Sequence, residues 1–231
     1  MAIIYASNSG YVYKSVTGAS WSSARGASSG TNKSDTATRS ISAVYISHSS
    51  GRGSDSYLIY RSYFYFDTSG ITGTVASATL DIYGYNYGTA DVIAVKSDAF
   101  GGDGGTGLAT ADFNNFDDST PYSSEVPLWS TSGYNDITLN ATALTDIKNN
   151  NAFIVCIMEY DYDYQNSAPS STAIRSGMHY DAYTGTSRDP KIDYTLAVTG
   201  YGDTVNGVAP ANISKVNAVA TANIEKVIGV D

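Results

Sequence analysis

The residues best suited to chemistry in this sequence form a short acidic row. Glu159, Asp161 and Asp163 are separated by single tyrosines. Side chains alternate between the two faces of a β-strand, so a continued strand would place all three carboxylates on one face. Such a row suits a hard cation such as Ca2+, or a general acid/base pair in a glycosidase. A solvated strand end is the simpler interpretation and the one we favour, and a structural Ca2+ stays open.

Other residue types offer little for catalysis. His48 and His179 have no zinc-site spacing around them, and Cys156 lies inside the apolar run 153–158, where it resembles a small buried hydrophobe. No serine sits in a Gly-x-Ser-x-Gly elbow before a helix, and no glycine pattern of a nucleotide site joins a strand to a helix. We therefore predict that the chain is not an enzyme and has no catalytic, cofactor or metal residue to nominate.

Strand signals dominate the elements that would position these residues. Short β-branched or aromatic runs alternate with Gly, Ser, Asn and Asp clusters, as in an all-β sandwich. The predicted strands are 3–6, 11–14, 42–47, 56–66, 76–85, 91–96, 136–139, 152–160, 171–179 and 191–198. The pattern predicts a jelly-roll-like antiparallel β-sandwich.

Two segments depart from the strand pattern. Leu144 and Ile147 are three residues apart on one helical face, Asn140 is a suitable N-cap, and the asparagines after Lys148 end the run. This spacing predicts one short helix that closes an end of the sandwich. The glycine-rich stretch 101–107, which contains Asp103, predicts an exposed loop and only weakly suggests a cation ligand.

Composition narrows the range of partners. The 231 residues carry 13 Lys and Arg against 22 Asp and Glu, a formal charge of −9, which argues against binding nucleic acid through its phosphates. No run approaches the roughly 18 apolar residues that span a membrane, and the opening residues lack the basic and apolar regions of a signal peptide. The 20 tyrosines suit half-buried strands or a wet contact surface.

The C-terminal segment contains an internal repeat. The stretch 205–215 is followed at once by 216–226, and the two copies agree at eight of eleven positions. Pro210 and Gly207 oppose a helix, so we favour short strands and turns. Its narrow apolar stripe cannot be buried alone and predicts packing on identical copies or on a host protein.

The repeat defines the candidate oligomerisation or attachment residues. They are Val205, Val208, Ile213, Val216, Val219, Ile224, Val227 and Val230. We predict two parts to the chain, a sandwich over residues 1–199 and the repeat segment over residues 200–231.

Four motifs resemble a known sandwich family. They are Tyr60–Ile71, with its Arg-Ser and Phe-Asp-Thr-Ser parts, Val75–Tyr83, Asp136–Ala141 and Asp189–Tyr194. In this order they resemble the DNRLRE domains, which are related to a class of carbohydrate-binding modules. The resemblance covers residues 1 to 198 and implies a β-sandwich. Arg61 would then hold a carboxylate across the sheet. Phe64 and Phe66 alternate with Tyr63 and Tyr65, so one face of this strand is predicted to be core, and Asp67 and Ser69 would supply side-chain oxygens to the turn after it.

The repeat resembles segments of tailed-bacteriophage structural proteins that lie beside such sandwiches. This resemblance implies a non-catalytic virion protein, assembled in the host cytoplasm as a capsid decoration, head fibre or tail-associated protein. Its partners would be other virion proteins and copies of itself, and host-surface glycan is a further candidate. The alternatives are a carbohydrate-binding module and, third, a sandwich-fold polysaccharide lyase or glycosidase that uses the acidic row.

Overall fold

A computed structural model of the chain describes residues 2–35, 40–51, 53–179 and 187–197, with the backbone alone of residues 40–43. In the C-terminal segment it describes the backbone of residues 215–216 and 219–220.

The described residues are organised mainly as strands. The strands are β1 (Ala2–Tyr5), β2 (Asn8–Thr17), β3 (Asn32–Ser34), β4 (Ser40–Ser50), β5 (Asp55–Asp67), β6 (Val75–Gly88), β7 (Val92–Ser97), β8 (Phe116–Pro121), β9 (Tyr134–Thr138), β10 (Ala152–Glu159), β11 (Thr172–Met178), β12 (Lys191–Leu196), β13 (Lys215–Val216) and β14 (Val219–Ala220). The helices are α1 (Trp21–Arg25) and α2 (Ala141–Asn149), with 3-10 turns at Phe100–Gly102 and Thr110–Asn114 and a π-helical turn at Tyr160–Tyr164.

Strand β5 is the centre of the sheet. Strand β2 pairs with it along one edge, from Ser56 to Tyr65. The other edge is shared, because β4 pairs with residues 55–60 and β10 pairs with residues 62–67. Arg61 therefore lies at the point where β4 and β10 diverge.

The remaining strands extend from these two branches. Strand β10 leads to β7 and β8, whereas β4 leads to β11 and then to the long strand β6. Strand β6 also pairs with β9 and neighbours β12, and β12 pairs with β1. All recorded registers of these strands are antiparallel, and the fold is the predicted all-β sandwich.

The buried apolar side chains form two clusters, one on each face of β5 and β10. The first cluster lies between these strands and β6, β9, β12 and α2; its members include Phe64, Phe66, Leu80, Ile137, Ile147, Phe153 and Ile192. The second is covered by α1 and the two 3-10 turns; its members include Trp21, Ile59, Tyr63, Phe100, Phe113, Cys156 and Met158. Strand β5 therefore buries apolar side chains on both of its faces.

This arrangement corrects the prediction of a single core face on β5. Phe64 and Phe66 are buried in the first cluster as expected, but Tyr63 is fully buried in the second. Its hydroxyl donates to the carbonyl oxygen of Phe113 over 2.9 Å, which satisfies the polar group inside the core.

Most predicted elements are confirmed. Each of the ten predicted strands corresponds to one observed strand, with ends shifted by a few residues. Helix α2 begins after Asn140, whose side chain accepts the Ala143 N–H, and its Ile147 is buried. The glycine-rich loop is exposed, and Asp103 accepts the Gly105 N–H over 2.8 Å. Helix α1 and the short strands β3 and β8 were not predicted.

The chain divides into two compact units, Met1–Thr195 and Leu196–Asp231. In the second, Lys215–Val216 and Val219–Ala220 pair as antiparallel strands, with Val216 opposite Val219. These four residues fit our interpretation of strands and turns. The other repeat positions lie outside the described residues, so the boundary after residue 199 stays a prediction. In the described part of the chain, no helix has the length and apolar character to cross a membrane.

Candidate functional site

The predicted acidic row does not exist as a row, because the strand ends at its first member. Strand β10 stops at Glu159, and Tyr160–Tyr164 form a π-helical turn. The Glu159 carboxylate accepts the backbone N–H groups of Asp161, Tyr162 and Asp163 over 2.7–3.0 Å. Glu159 thus caps the turn, because its carboxylate accepts hydrogen bonds from backbone N–H groups that have no partner within the turn. The expectation of three carboxylates on one solvated face was wrong.

The turn brings Asp163 to a buried arginine. Asp163 and Arg61 are both fully buried, and the carboxylate receives Nε and Nη2 of Arg61 at 2.7 Å each. This two-pronged geometry is the strong form of an arginine–carboxylate contact. It confirms that Arg61 holds a carboxylate across the sheet, and it identifies that carboxylate as Asp163.

Carbonyl groups and aromatic rings complete the surroundings of Arg61. Its Nη1 donates to the Phe113 carbonyl oxygen at 2.7 Å, and Nη2 donates to the Arg25 carbonyl oxygen at 3.0 Å. The guanidinium carbon lies 4.1 Å from the ring centroid of Phe113 and 4.4 Å from that of Phe116. A buried charge needs such partners, because burial without them is very costly.

Arg25 links this buried pair to the surface. Its Nε donates to the main-chain carbonyl oxygen of Asp163 at 2.5 Å and lies 3.3 Å from the carboxylate of the same residue. Its Nη2 donates to the Asp118 carboxylate at 2.7 Å. Arg25 is the last residue of α1, and Asp118 belongs to β8. The charged cluster therefore joins α1, β5, β8 and the turn after β10. Sequence reasoning missed Arg25 because nothing in the spacing of the two arginines shows that they share one carboxylate.

Burial and hydrogen bonds shift the pKa values of Arg61 and Glu159 in opposite directions. Burial opposes the charge of Arg61, but the charge and hydrogen bonds of Asp163 raise its pKa above the ordinary value. Burial raises the pKa of Glu159 to about 7, although the three amide N–H groups lower it. Both effects concern stability, since these groups face protein atoms and not an open cleft.

The remaining polar candidates also have structural surroundings. Cys156 is fully buried beside Tyr63 and Arg61, and burial raises the pKa of its thiol far above the ordinary value. His48 on β4 stacks on Tyr57 with ring centroids 4.7 Å apart, and its Nε2 lies 3.3 Å from Asp55. His179 follows β11 and packs 5.5 Å from the Tyr83 ring. Within the described ranges, no three His, Cys, Asp or Glu side chains are placed to hold a metal ion.

A group of tyrosines forms the most distinctive surface of the sheet. Tyr60 on β5 stacks on Tyr13 of β2, with ring centroids 4.7 Å apart, and lies 5.9 Å from Tyr45 of β4. Tyr11 lies 5.2 Å from Tyr60 on the same face. Tyr13, Tyr60 and Tyr45 are direct cross-strand partners, so their rings form a row across three strands. We call these four residues the tyrosine face.

The tyrosine face continues onto a cation. Arg175 of β11 is the register partner of Tyr45, and its guanidinium lies 3.3 Å from the centroid of the Tyr87 ring. Burial and the neighbouring tyrosines raise the pKa of Tyr60 to about 12, so its hydroxyl stays neutral. The four rings are half-buried, and Ser15 and Ser47 lie on the same face. Flat rings beside small hydroxyl groups can receive a ligand with an apolar face and polar edges.

Only two of the eight predicted attachment residues lie in the described part of the chain. Val216 and Val219 belong to paired backbone strands, whereas Val205, Val208, Ile213, Ile224, Val227 and Val230 lie outside the described residues. Their role stays a prediction.

Comparison of the chain with protein-family models and with curated proteins finds no match. The resemblance of its motifs to DNRLRE domains and to phage structural proteins therefore stays an interpretation. The structure adds that the Arg61 motif lies on the central strand. In the turn that follows, Asp67 accepts the Ser69 N–H over 3.0 Å.

The Asp163→Asn substitution tests whether the buried pair organises the sandwich. It leaves the Arg61 charge without its counter-ion, and breaking a buried pair in this way costs about 3–5 kcal/mol. We expect this loss in the free energy of unfolding measured with urea. Asp161→Asn is the matched control, because Asp161 is exposed on the same turn and its side chain should contribute little. Equal stability of the two variants would contradict the assignment.

The raised pKa of Glu159 predicts a pH dependence of stability. A carboxyl group with a folded-state pKa of about 7, against an unfolded value of about 4, binds its proton more tightly in the folded chain. The associated stability is present at low pH and is lost as pH rises from about 4 through 7. We expect urea midpoints to fall between pH 5 and pH 8, and to fall less in Glu159→Gln. Glu125→Gln, at an exposed site, should keep the wild-type slope.

Proposed function

We propose that this chain is a non-catalytic structural protein of a virus particle, with the sandwich displayed at the particle surface and the C-terminal repeat as its attachment or assembly element. Its partners would be other virion proteins and further copies of the chain. Assembly would take place in the cytoplasm of the host. The sandwich would serve as a stable, negatively charged body that limits unwanted association.

The observation that carries this proposal is the use of the acidic residues as internal supports. Glu159 holds the turn after β10, and Asp163 neutralises Arg61 inside the sandwich. Glu159 and Asp163 are two of the three residues best suited by type to acid/base work, and both are fully enclosed by protein, whereas Asp161 is exposed. Their arrangement supports a structural role for these acidic residues more than a role in a reactive cleft.

The repeat supports the assembly role. Two copies of an eleven-residue unit with matching Val, Ala, Asn, Ile and Lys positions follow the sandwich directly. A segment with one narrow apolar stripe is stabilised when neighbouring copies cover that stripe. Identical chains on a particle surface provide such neighbours.

The paired substitution Val216→Asp with Val219→Asp tests the repeat in the full chain. We expect it to lower the molar mass measured by light scattering after size exclusion, because two charges would enter the apolar stripe. Ala218→Asp with Thr221→Asp is the matched control, since it adds the same charge where the two copies differ. An unchanged mass in the first variant, or an equal loss in both, would contradict attachment through the valines.

A carbohydrate-binding module is the second candidate function, and the tyrosine face is the observation that favours it. The C–H faces of a sugar ring pack well on tyrosine rings, while its hydroxyl groups bond to serine and tyrosine hydroxyls. The row of rings across β2, β5 and β4 would suit an extended glycan. A virion protein with this face would also contact host-surface glycan, so the two candidates are compatible.

Tyr45→Ala tests the tyrosine face as a glycan site. We expect the affinity for a soluble glycan that the wild type binds on an array to fall about tenfold, which corresponds to about 1.4 kcal/mol. The measurement is isothermal titration with glycans selected on an array. Tyr164→Ala is the control, because Tyr164 packs on the opposite cluster beside Tyr160. Absence of any array binding by the wild type would remove this candidate function.

A further inference from the structure

The edges of the sheet differ in how they are protected against pairing. Strands β1, β3, β8 and β9 each pair with a single neighbour among the described strands. Natural sheets protect such edges with charges, prolines or very short strands. Strand β3 contains Lys33, β8 contains Asp117, Asp118 and Pro121, and β9 contains Asp136. Strand β1, Ala-Ile-Ile-Tyr, is also short at four residues, but it contains neither a charged residue nor a proline.

The edge of β1 that faces away from β12 has no partner among the described strands, and it presents its backbone groups in a defined pattern. The Ala6 N–H donates to the Pro190 carbonyl oxygen over 2.9 Å, in register with the pairs Ile4–Ile192 and Ala2–Tyr194. Hydrogen-bonded pairs alternate along an antiparallel ladder. The N–H and C=O groups of Ile3 and Tyr5 therefore point away from β12, toward the open edge.

The side chains of β1 add apolar surface to that edge. Ile3 is 49% exposed and Tyr5 is 51% exposed, and they share the outer face because they are two residues apart. Ile4 points to the opposite face and packs against the first core cluster. The described part of β1 is thus an uncharged strand with open hydrogen-bonding groups and two exposed apolar side chains.

We infer that β1 is a dimerisation edge whose occupant is β1 of a second copy, related by a two-fold axis perpendicular to the sheet. The register places Ile4 opposite Ile4 of the second copy and Ile3 opposite Tyr5. In this register Ile3 and Tyr5 exchange both of their open backbone hydrogen bonds with their counterparts. The outer face gains aliphatic–aromatic cross-strand pairs on both sides of the axis.

Charge favours this edge as the place where copies meet. Each chain has a formal charge of −9, so two copies repel each other over most of their surfaces. Strand β1 has no ionisable carboxylate or amine in its side chains. A symmetric contact also uses the same groups on both sides, which an unrelated strand would match only by chance. Strand β1 and the repeat segment have no residue in common, and the inference does not rest on the proposed function.

Ile3→Lys tests the edge by adding a charge of the kind that protects other edges. The full-length wild type should reach, over a concentration series, about twice the molar mass of Ile3→Lys in light scattering. Thr138→Lys on β9 is the matched control, because it adds the same charge at an exposed position of another edge strand, and it should keep the wild-type mass. Equal masses for wild type and Ile3→Lys would overturn the inference.

Cysteine substitutions test the register directly. Opposite residues of a non-hydrogen-bonded antiparallel pair have Cα atoms about 4.5 Å apart, which a disulfide can bridge. Ile4→Cys should therefore give a covalent dimer on mild oxidation. In the same register, position 3 of one copy lies opposite position 5 of the other. The Cα atoms of the two substituted residues in Ile3→Cys would therefore be more than roughly 7 Å apart, which a disulfide cannot bridge, and this variant should stay monomeric on a non-reducing gel. Cys156 is buried and provides the same background in both variants.

The outcomes separate this edge from the repeat. Crosslinking of Ile4→Cys that persists in the Val216→Asp, Val219→Asp background supports an independent β1 interface. Crosslinking that disappears in that background would mean that the repeat alone brings the copies together, and it would overturn the inference. Stronger crosslinking of Ile3→Cys than of Ile4→Cys would overturn the proposed register.

Discussion

The ion pair between Arg61 and Asp163 is the interaction on which the rest of the sandwich depends. Arg61 lies where β5 loses β4 as a partner and gains β10, and Asp163 arrives there only because the chain turns sharply after β10. A buried guanidinium must have all its N–H donors hydrogen-bonded. Arg61 therefore requires Asp163, on the turn that Glu159 caps, together with the carbonyl oxygens of Arg25 and Phe113. The position of Asp163 also explains why a helix of five residues can cover one face of the central strands. The last residue of that helix, Arg25, donates to the Asp163 carbonyl oxygen and lies 3.3 Å from the Asp163 carboxylate.

The two faces of β5 use the same residue type in different ways. Tyr63 is enclosed in the second core cluster, where its hydroxyl has a carbonyl partner. Tyr60, only three residues earlier, points to the other face, beyond the first cluster, and stacks with tyrosines of both neighbouring strands. The aromatic content that stabilises the interior thus also provides a flat outer surface, and the choice between the two roles depends on which face of the sheet is covered at each position. A glycan-contacting role and a structural role would consequently use the same strand.

Negative charge and edge protection together shape how copies of this chain can associate. Three edge strands carry lysine, aspartate or proline, whereas β1 presents an uncharged Ala-Ile-Ile-Tyr segment. A contact of four residues is small, so it would be weak alone, and attachment of several copies to one particle would raise its effective concentration. The proposed repeat-mediated attachment and the β1 contact would then reinforce each other without sharing residues.

The sequence by itself determined the all-β class, the approximate positions of ten strands, helix α2 with its Asn140 cap, and the turn at Asp67. These features depend on local alternation, helical spacing and capping groups, which are properties of neighbouring residues. It indicated that Arg61 holds a carboxylate, but it assigned Asp163 to an acidic row, because alternation cannot reveal that a strand stops at Glu159. Only the tertiary structure decided that Asp163 meets Arg61 and Arg25, that Tyr63 is enclosed while Tyr60 joins Tyr13 and Tyr45, and that β1 has β12 as its one partner among the described strands. Each of these depends on which strands become neighbours, and that pairing joins residues far apart in the chain whose contacts no local pattern specifies.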